Sequence, residues 1–181
     1  MTAPRIIAGR LKNRRVKVPE GNLIRPTAER MREALFSILG AEIEGARFLD
    51  LFAGSGAIGL EALSRGASTA TFVEQDPAAL AALRDTIRRL GVEREARVIG
   101  RDARNLGHAH DVFDLVYADP PYRSGLHATT LDGLRQGGWI DGNSLCVTER
   151  AAEEEVASCA GFMLVDDRRY GAGCVSFYRL I

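Results

Sequence analysis

A glycine-rich loop between a predicted strand and a predicted helix constrains the fold of this 181-residue chain most strongly. Gly54, Gly56 and Gly59 have G-x-G-x-x-G spacing directly after the apolar run at residues 47–53. Glu74 follows Gly54 by 20 residues, at the end of the next predicted strand. In such strand–loop–helix units, glycine lets the backbone approach a ligand and the carboxylate binds two ribose hydroxyls. The spacing therefore predicts an α/β domain that binds an adenosine-containing ligand at this loop.

Strand and helix patterns alternate after this loop and predict a doubly wound α/β fold with a mostly parallel sheet. The predicted strands are residues 47–53, 68–74, 96–100, 113–119 and 144–150. The predicted helices are residues 27–39, 58–65, 77–90 and 127–135. Two further extended runs, 162–170 and 174–180, are separated by only three residues, which are too few for a parallel crossover. We therefore expect seven strands, the last two forming an antiparallel hairpin.

Positive charge is concentrated at the N-terminus, although the chain as a whole has a net charge of zero. Residues 1–32 contain nine Arg or Lys and two acids, a net charge of +7, so the remaining 149 residues carry −7. Extended runs at 5–11 and 14–19 predict a basic β-hairpin. This asymmetry favours an arm that binds a polyanion, although a solvated surface would show the same composition. The residues expected to contact nucleic-acid phosphates are Arg10, Lys12, Arg14, Arg15 and Arg25.

Two further acids distinguish between adenosine-containing cofactors. Asp50 lies inside the first strand, four residues before Gly54, where a carboxylate is poorly placed beside a pyrophosphate. It suits an ammonium group, such as the methionyl end of S-adenosylmethionine. Asp102, just after the third strand, could accept a hydrogen bond from an adenine amino group or cap a following helix. The pattern favours S-adenosylmethionine over a nicotinamide dinucleotide.

The tetrapeptide Asp119-Pro120-Pro121-Tyr122 follows the fourth strand, at the sheet edge where open α/β folds bind ligands. The two prolines fix two φ angles and remove two donors, so the carbonyls are held in set directions. An exocyclic base amine needs two acceptors, which the Asp119 carboxylate and the Pro120 carbonyl can supply. Tyr122 offers a face on which an extruded base can stack. The tetrapeptide predicts methylation of a base amine.

The chain resembles the bacterial 16S rRNA (guanine(966)-N(2))-methyltransferase family. The segments that carry the resemblance are residues 5–9, 25–27, 32–39, 49–66, including Phe52, 72–74 and 119–122. The resemblance implies a Rossmann-like class I methyltransferase domain at residues 27–181, preceded by a basic β-hairpin and linker at 1–26. It also implies S-adenosylmethionine as cofactor, and a monomeric enzyme that methylates the guanine in assembled small subunits.

Other functions remain open from the residues alone. A DNA or RNA adenine-N6 methyltransferase would use the same tetrapeptide, but no separate target-recognition domain is visible. A protein-glutamine methyltransferase usually begins this motif with Asn. A nicotinamide oxidoreductase has no use for the tetrapeptide, and a non-catalytic RNA-binding module has no need of Asp119 and Glu74.

The remaining polar residues predict no metal site. The three cysteines fit no metal-binding spacing and are expected to be buried thiols. The three histidines are expected at the surface or in caps, and the acidic run 153–155 on a helix face. No run is long enough to span a bilayer, and no secretory signal is visible, so we expect a cytoplasmic protein.

Overall fold

The computed structural model of the protein describes residues 3–19, 26–121 and 125–181, without the side chains of residues 26–28. Its sheet has seven strands in the order β3-β2-β1-β4-β5-β7-β6. The strands are β1 (Arg47–Leu51), β2 (Thr69–Glu74), β3 (Ala96–Gly100), β4 (Leu115–Ala118), β5 (Leu145–Ala151), β6 (Phe162–Tyr170) and β7 (Gly173–Leu180). The first five strands run parallel, and β7 runs antiparallel to both of its neighbours, β5 and β6. The predicted fold class is confirmed.

Helices cover both faces of the sheet. They are α1 (Pro26–Leu39), followed by a 3₁₀ turn at Gly40–Ile43, α2 (Ala57–Ser64), α3 (Pro77–Leu90) and α4 (Leu126–Gln136). One apolar cluster joins α1, α2 and α3 to one face, and a second joins α4 and the segment before β4 to the other. Among the described residues, no helix is long and apolar enough to cross a membrane.

Local signals explain why the helix ends were predictable. At the start of α3, the Asp76 side chain accepts a hydrogen bond from the amide of Ala79 at 2.7 Å, and Pro77 occupies the first turn. Gly91 ends the helix with a φ of 71°, in the left-handed region that glycine adopts without a steric penalty. The acidic run at 153–155 lies in a turn, a bend and irregular chain, so the helix expected there is wrong. The three cysteines are buried free thiols, as predicted.

The N-terminal segment folds back on itself but forms no regular strands. Arg5 and Arg15 form an isolated antiparallel bridge, and further backbone hydrogen bonds join Ile6 to Arg14 and Val16 to Pro4. The paired arms are therefore shorter than the extended runs suggested. Their pairing is limited because much of this segment bonds to α2 instead.

Contacts with α2 fix the N-terminal segment in place. The amides of Ile7 and Ala8 donate to the fully buried carboxylate of Glu61, at 2.7 and 3.0 Å. The amide of Arg10 donates to the carbonyl of Ser64 at 2.8 Å. Gly9 comes so close that a Cβ atom would lie 1.8 Å from that carbonyl oxygen, so no other residue fits there. The basic segment is thus docked against α2 at its C-terminal end.

Candidate active site at the carboxyl ends of the strands

The sheet register brings four predicted strand ends to one level. Leu51 of β1 pairs with Val73 of β2 and with Ala118 of β4, and Ala118 pairs with Thr148 of β5. The next residues along these strands are Glu74, Phe52, Asp119 and Glu149, in their order across the sheet. The connections turn in opposite directions on either side of β1 and β4, and ligands bind at such a switch point. The register therefore defines a crevice between the glycine loop and Asp119.

The glycine loop leaves open space at this crevice. Gly54 has a φ of 53°, and a Cβ atom built there would meet no atom within 4 Å. Gly56 begins α2 with a φ of 75°, and a Cβ atom there would lie 2.3 Å from Leu83. Phe52 has a φ of 58°, an uncommon conformation for a residue other than glycine, which is found most often at functional sites. The loop is thus shaped by tight packing at Gly56 and by open space at Gly54.

Glu74 holds the loop against the end of β2. One carboxylate oxygen accepts from the amide of Gly54 at 2.7 Å. The other accepts from the amides of Gln75 and Asp76, both at 2.8 Å. The carboxylate is half-buried at the open side of the loop. It lies where the sequence predicted an acid that binds ribose.

Asp50 is buried beneath the loop and is 2% exposed. One of its oxygens accepts from the amide of Gly59, at 2.9 Å, which ties the first turn of α2 to β1. Burial raises the pKa of Asp50 to about 8, and the charge of Glu74 adds to this rise, while the Gly59 hydrogen bond opposes it. A carboxyl group with this pKa is mostly protonated at neutral pH until a cation approaches it.

Asp119 and its prolines continue from the end of β4. Asp119 is half-buried, Pro120 is buried and Pro121 is exposed. Burial raises the pKa of Asp119 well above its usual range, and the charges of Glu149 and Asp50 raise it further. Tyr122, the fourth residue of the tetrapeptide, lies outside the described residues.

Sequence reasoning missed a buried group beside Asp119. Glu149, at the level of Asp119 on β5, is 7% exposed and accepts a hydrogen bond from the hydroxyl of Tyr117. Burial, followed by the charges of Glu149 and Asp119, raises the pKa of Tyr117. His127 is buried with its Nε2 atom 2.8 Å from the carbonyl oxygen of Glu149, so its expected surface position is wrong. The sequence signal that could have identified Glu149 was an acid near the end of a buried strand.

Asp102 is engaged elsewhere. Its carboxylate accepts from the amide of Arg104 and from the Arg104 guanidinium, with the amide contact at 2.9 Å. These hydrogen bonds lower the pKa of Asp102. No helix follows within residues 101–114, so Asp102 stabilises a turn rather than capping a helix.

Four of the five predicted phosphate-binding residues do not lie at the crevice. Arg10 forms an ion pair with Glu95, which precedes β3, and Arg14 donates to the carbonyl of Arg89 at 3.2 Å. Lys12 and Arg15 are exposed, and neither forms an ion pair with another described residue. All four therefore lie at the amino ends of the strands, opposite the crevice. Arg25 lies outside the described residues.

Comparisons with known proteins agree with this architecture. The sequence profile of a family described as Conserved hypothetical protein 95 matches residues 4–179. A relative in Escherichia coli K12, named Ribosomal RNA small subunit methyltransferase D, is 40% identical over 150 residues, which are 82% of this chain and 75% of the relative. The Haemophilus influenzae protein of the same name is 32% identical over 184 residues, covering 97% and 92% of the two chains. The solved structure of yhhF from Escherichia coli has a TM-score of 0.86 at 36% identity and covers 98% of this chain and 97% of its own.

Proposed function

The chain belongs to the family described as Conserved hypothetical protein 95, and from this membership and the crevice we propose that it is an S-adenosylmethionine-dependent rRNA methyltransferase. Its relatives named Ribosomal RNA small subunit methyltransferase D support ribosomal RNA of the small subunit as the substrate. The proposed target is the exocyclic N2 amine of guanine 966 in 16S rRNA, methylated in assembled subunits.

One observation carries the proposal for the chemistry. Asp119 lies level with the start of the glycine loop, at the switch point between β1 and β4, and Pro120 follows it. A carboxylate and a carbonyl at this place can accept the two hydrogens of a base amine. With both hydrogens held, the nitrogen lone pair is less delocalised into the ring, so the amine becomes a better nucleophile.

The residues of the crevice fit S-adenosylmethionine. The open space beside Gly54 admits a ligand close to the backbone. Glu74 would bind the ribose hydroxyls, and Asp50, whose pKa is raised to about 8 by burial, would bind the methionyl ammonium group. Phe52 and Gly56 would shape the wall of the site, and Asp102 would face the adenine if its turn opens. When bound, the cofactor supplies an electrophilic methyl group.

The protein's own groups would orient the base and exclude water. Asp119 acts in its ionised form, because a neutral carboxyl group is a poorer acceptor. Glu149 stands behind it with its carboxylate held by the Tyr117 hydroxyl, so its position is fixed while its charge opposes the ionisation of Asp119. The donors of a bound base would offset that opposition. Pro121 would fix the backbone direction after Pro120, and Tyr122 would stack on the base.

Electrostatic contacts would bind the rRNA away from the crevice. Arg10, Lys12, Arg14, Arg15 and Arg25 would contact phosphates. All the proposed catalytic and cofactor-binding residues come from one chain, which supports action as a monomer.

Methyl transfer tests the proposed reaction directly. The purified chain would be incubated with tritiated S-adenosylmethionine and small subunits from cells that lack the corresponding gene, and the rRNA digested to nucleosides. We expect label in N2-methylguanosine. Label in N6-methyladenosine would favour the adenine-N6 alternative. The same assay would be run on protein-free rRNA, and the absence of label in both substrates would contradict rRNA methylation.

A further inference from the structure

The N-terminal segment and the C-terminal turn of α3 together form one basic surface. We call it the amino-end basic surface. Its cations are Arg10, Lys12, Arg14, Arg15, Lys17, Arg88 and Arg89, all exposed. Two of them, Arg88 and Arg89, belong to a helix that sequence reasoning gave no part in RNA binding.

Direct contacts join the two parts of this surface. Arg14 donates to the carbonyl of Arg89 at the end of α3. The amide of Lys17 donates to the hydroxyl of Thr86 at 3.1 Å, and the Lys17 ammonium group lies 3.4 Å from the carboxylate of Asp85. The two parts are therefore held side by side and present their charges together.

The cations of this surface outnumber the acids that they contact. Among the described residues, Asp85 is the one acid within 4 Å of Lys17, Arg88 and Arg89, while Glu95 pairs with Arg10. Seven cations against two carboxylates leave a charge of +5 in a chain whose net charge is zero. The side chains of Arg88 and Arg89 remain 69% and 51% exposed.

Helix stability alone does not explain this excess. Cations in the last turn of a helix interact favourably with its dipole, and Arg88 and Arg89 could serve that purpose. Lys12 and Arg15 lie outside any helix and form no ion pair with a described residue. A row of exposed cations that local acids do not neutralise is suited to a polyanion.

The position of this surface limits which polyanion it can bind. The helix α3 begins at Pro77, three residues after Glu74 at the crevice, and its 14 residues end at Leu90. At 1.5 Å per residue this is a separation of about 21 Å. A nucleotide whose base lies in the crevice cannot place its own phosphates there.

We propose that the amino-end basic surface binds a second segment of folded RNA, separate in space from the methylated nucleotide. The inference rests on the proposed function for the identity of the polyanion. The substrate must therefore reach both the crevice and the amino-end basic surface at the same time. A folded rRNA domain can do this, whereas a short isolated strand cannot.

Salt-dependent binding tests the part played by α3. The double variant Arg88→Gln, Arg89→Gln removes two charges and keeps residues of similar helix propensity. Its matched control is Arg135→Gln, Arg168→Gln, which removes two exposed arginines paired with acids of their own elements elsewhere in the molecule. Affinity for protein-free 16S rRNA and for small subunits would be measured over a range of salt concentrations.

We expect the α3 variant to bind both substrates more weakly, with a salt slope reduced by roughly 0.7–0.9 for each lost contact. The control should keep the wild-type slope, and both variants should keep the wild-type affinity for S-adenosylmethionine. An unchanged slope in the α3 variant would overturn the proposal. A loss confined to subunits would overturn it if a cross-linker placed at position 89 attaches to a ribosomal protein rather than to rRNA.

Cross-linking tests whether the contacted RNA is a separate segment. The native cysteines are buried, so Arg89→Cys provides a single accessible thiol for a photoreactive label. We expect cross-links to rRNA nucleotides outside the loop that carries the target base. Cross-links confined to that loop would overturn the proposal. If the wild-type chain binds rRNA specifically but transfers no methyl group to it, the proposed function is contradicted and this inference is still supported.

Discussion

The two ends of the parallel strands carry opposite kinds of ionisable group in opposite environments. At the carboxyl ends, four acids are buried or half-buried around one crevice, namely Asp50, Glu74, Asp119 and Glu149. At the amino ends, seven exposed cations form the amino-end basic surface. Buried acids influence one another at short range, whereas exposed cations act through a field that salt screens. A net charge of zero therefore conceals two different ends, one proposed for the chemistry and the other for binding a polyanion.

The largest expected effect is that of Asp119→Ala at the carboxyl end. The change removes one of the two proposed acceptors for the base amine, and a positioned electrostatic contact of this kind is worth about 10²–10³ in rate. Single-turnover methyl transfer should fall by that factor, while calorimetry should show unchanged binding of S-adenosylmethionine. Loss of cofactor binding would place Asp119 in the cofactor site instead.

Replacing Asp119 by Asn refines this result. Asn keeps one acceptor oxygen at the same place, so part of the rate should survive if the group positions the amine. A variant as inactive as Asp119→Ala, with its fold and cofactor binding intact, would identify Asp119 as a general base.

A smaller effect is expected from Glu74→Ala, again at the carboxyl end. Loss of charge-assisted hydrogen bonds to the ribose should cost about 2–3 kcal/mol, which is roughly 30- to 160-fold in affinity for S-adenosylmethionine. Asp76→Ala is the control, since it removes the cap of α3 two residues away without touching the ribose. If Glu74→Ala binds S-adenosylmethionine as tightly as Asp76→Ala and the wild-type chain do, Glu74 only holds the glycine loop.

At the amino end, neutralising Arg10, Lys12, Arg14 and Arg15 to Gln should change RNA binding alone. The slope of log affinity against log salt should become shallower by roughly 0.7–0.9 for each lost phosphate contact. Affinity for S-adenosylmethionine should stay the same. A wild-type slope would mean that these residues form an ordinary solvated surface.

The neighbouring acid Glu149 should affect the pH dependence of the rate. Its charge helps to raise the pKa of Asp119, so Glu149→Gln should lower that pKa while Gln still accepts from Tyr117. Since the proposed mechanism uses ionised Asp119, the fall in rate on the acid side should move to lower pH. A shift to higher pH would contradict the proposed role of the charge.

The smallest expected effect is the release of a single proton from Asp50 when the cofactor binds. With a pKa raised by burial to about 8, this group carries a proton at pH 7 in the free protein. An ammonium group beside it favours the ionised form, so binding S-adenosylmethionine should release a proton at pH 7 and release none well above pH 8. Calorimetry in buffers of different ionisation enthalpy measures this release. Its persistence in Asp50→Asn would assign it to another group.

The features that could be predicted from sequence depend on local signals. The ends of α3 follow from Asp76, Pro77 and Gly91, and the crevice from motifs that each directly follow a strand. Glu149 was missed because its place beside Asp119 depends on the pairing of β4 with β5. For the same reason, charge composition predicted a basic segment but could not place it at the amino ends, where its docking on α2 and α3 sets its position.

Steady-state kinetics on small subunits tests the separation of the two ends most directly. We predict that Asp119→Ala lowers kcat and leaves KM for the subunit nearly unchanged. The variant with Arg10, Lys12, Arg14 and Arg15 replaced by Gln should raise KM and leave kcat nearly unchanged. If the amino-end variant instead lowered kcat with KM unchanged, the basic surface would take part in the chemical step, and the division between the two ends would be wrong.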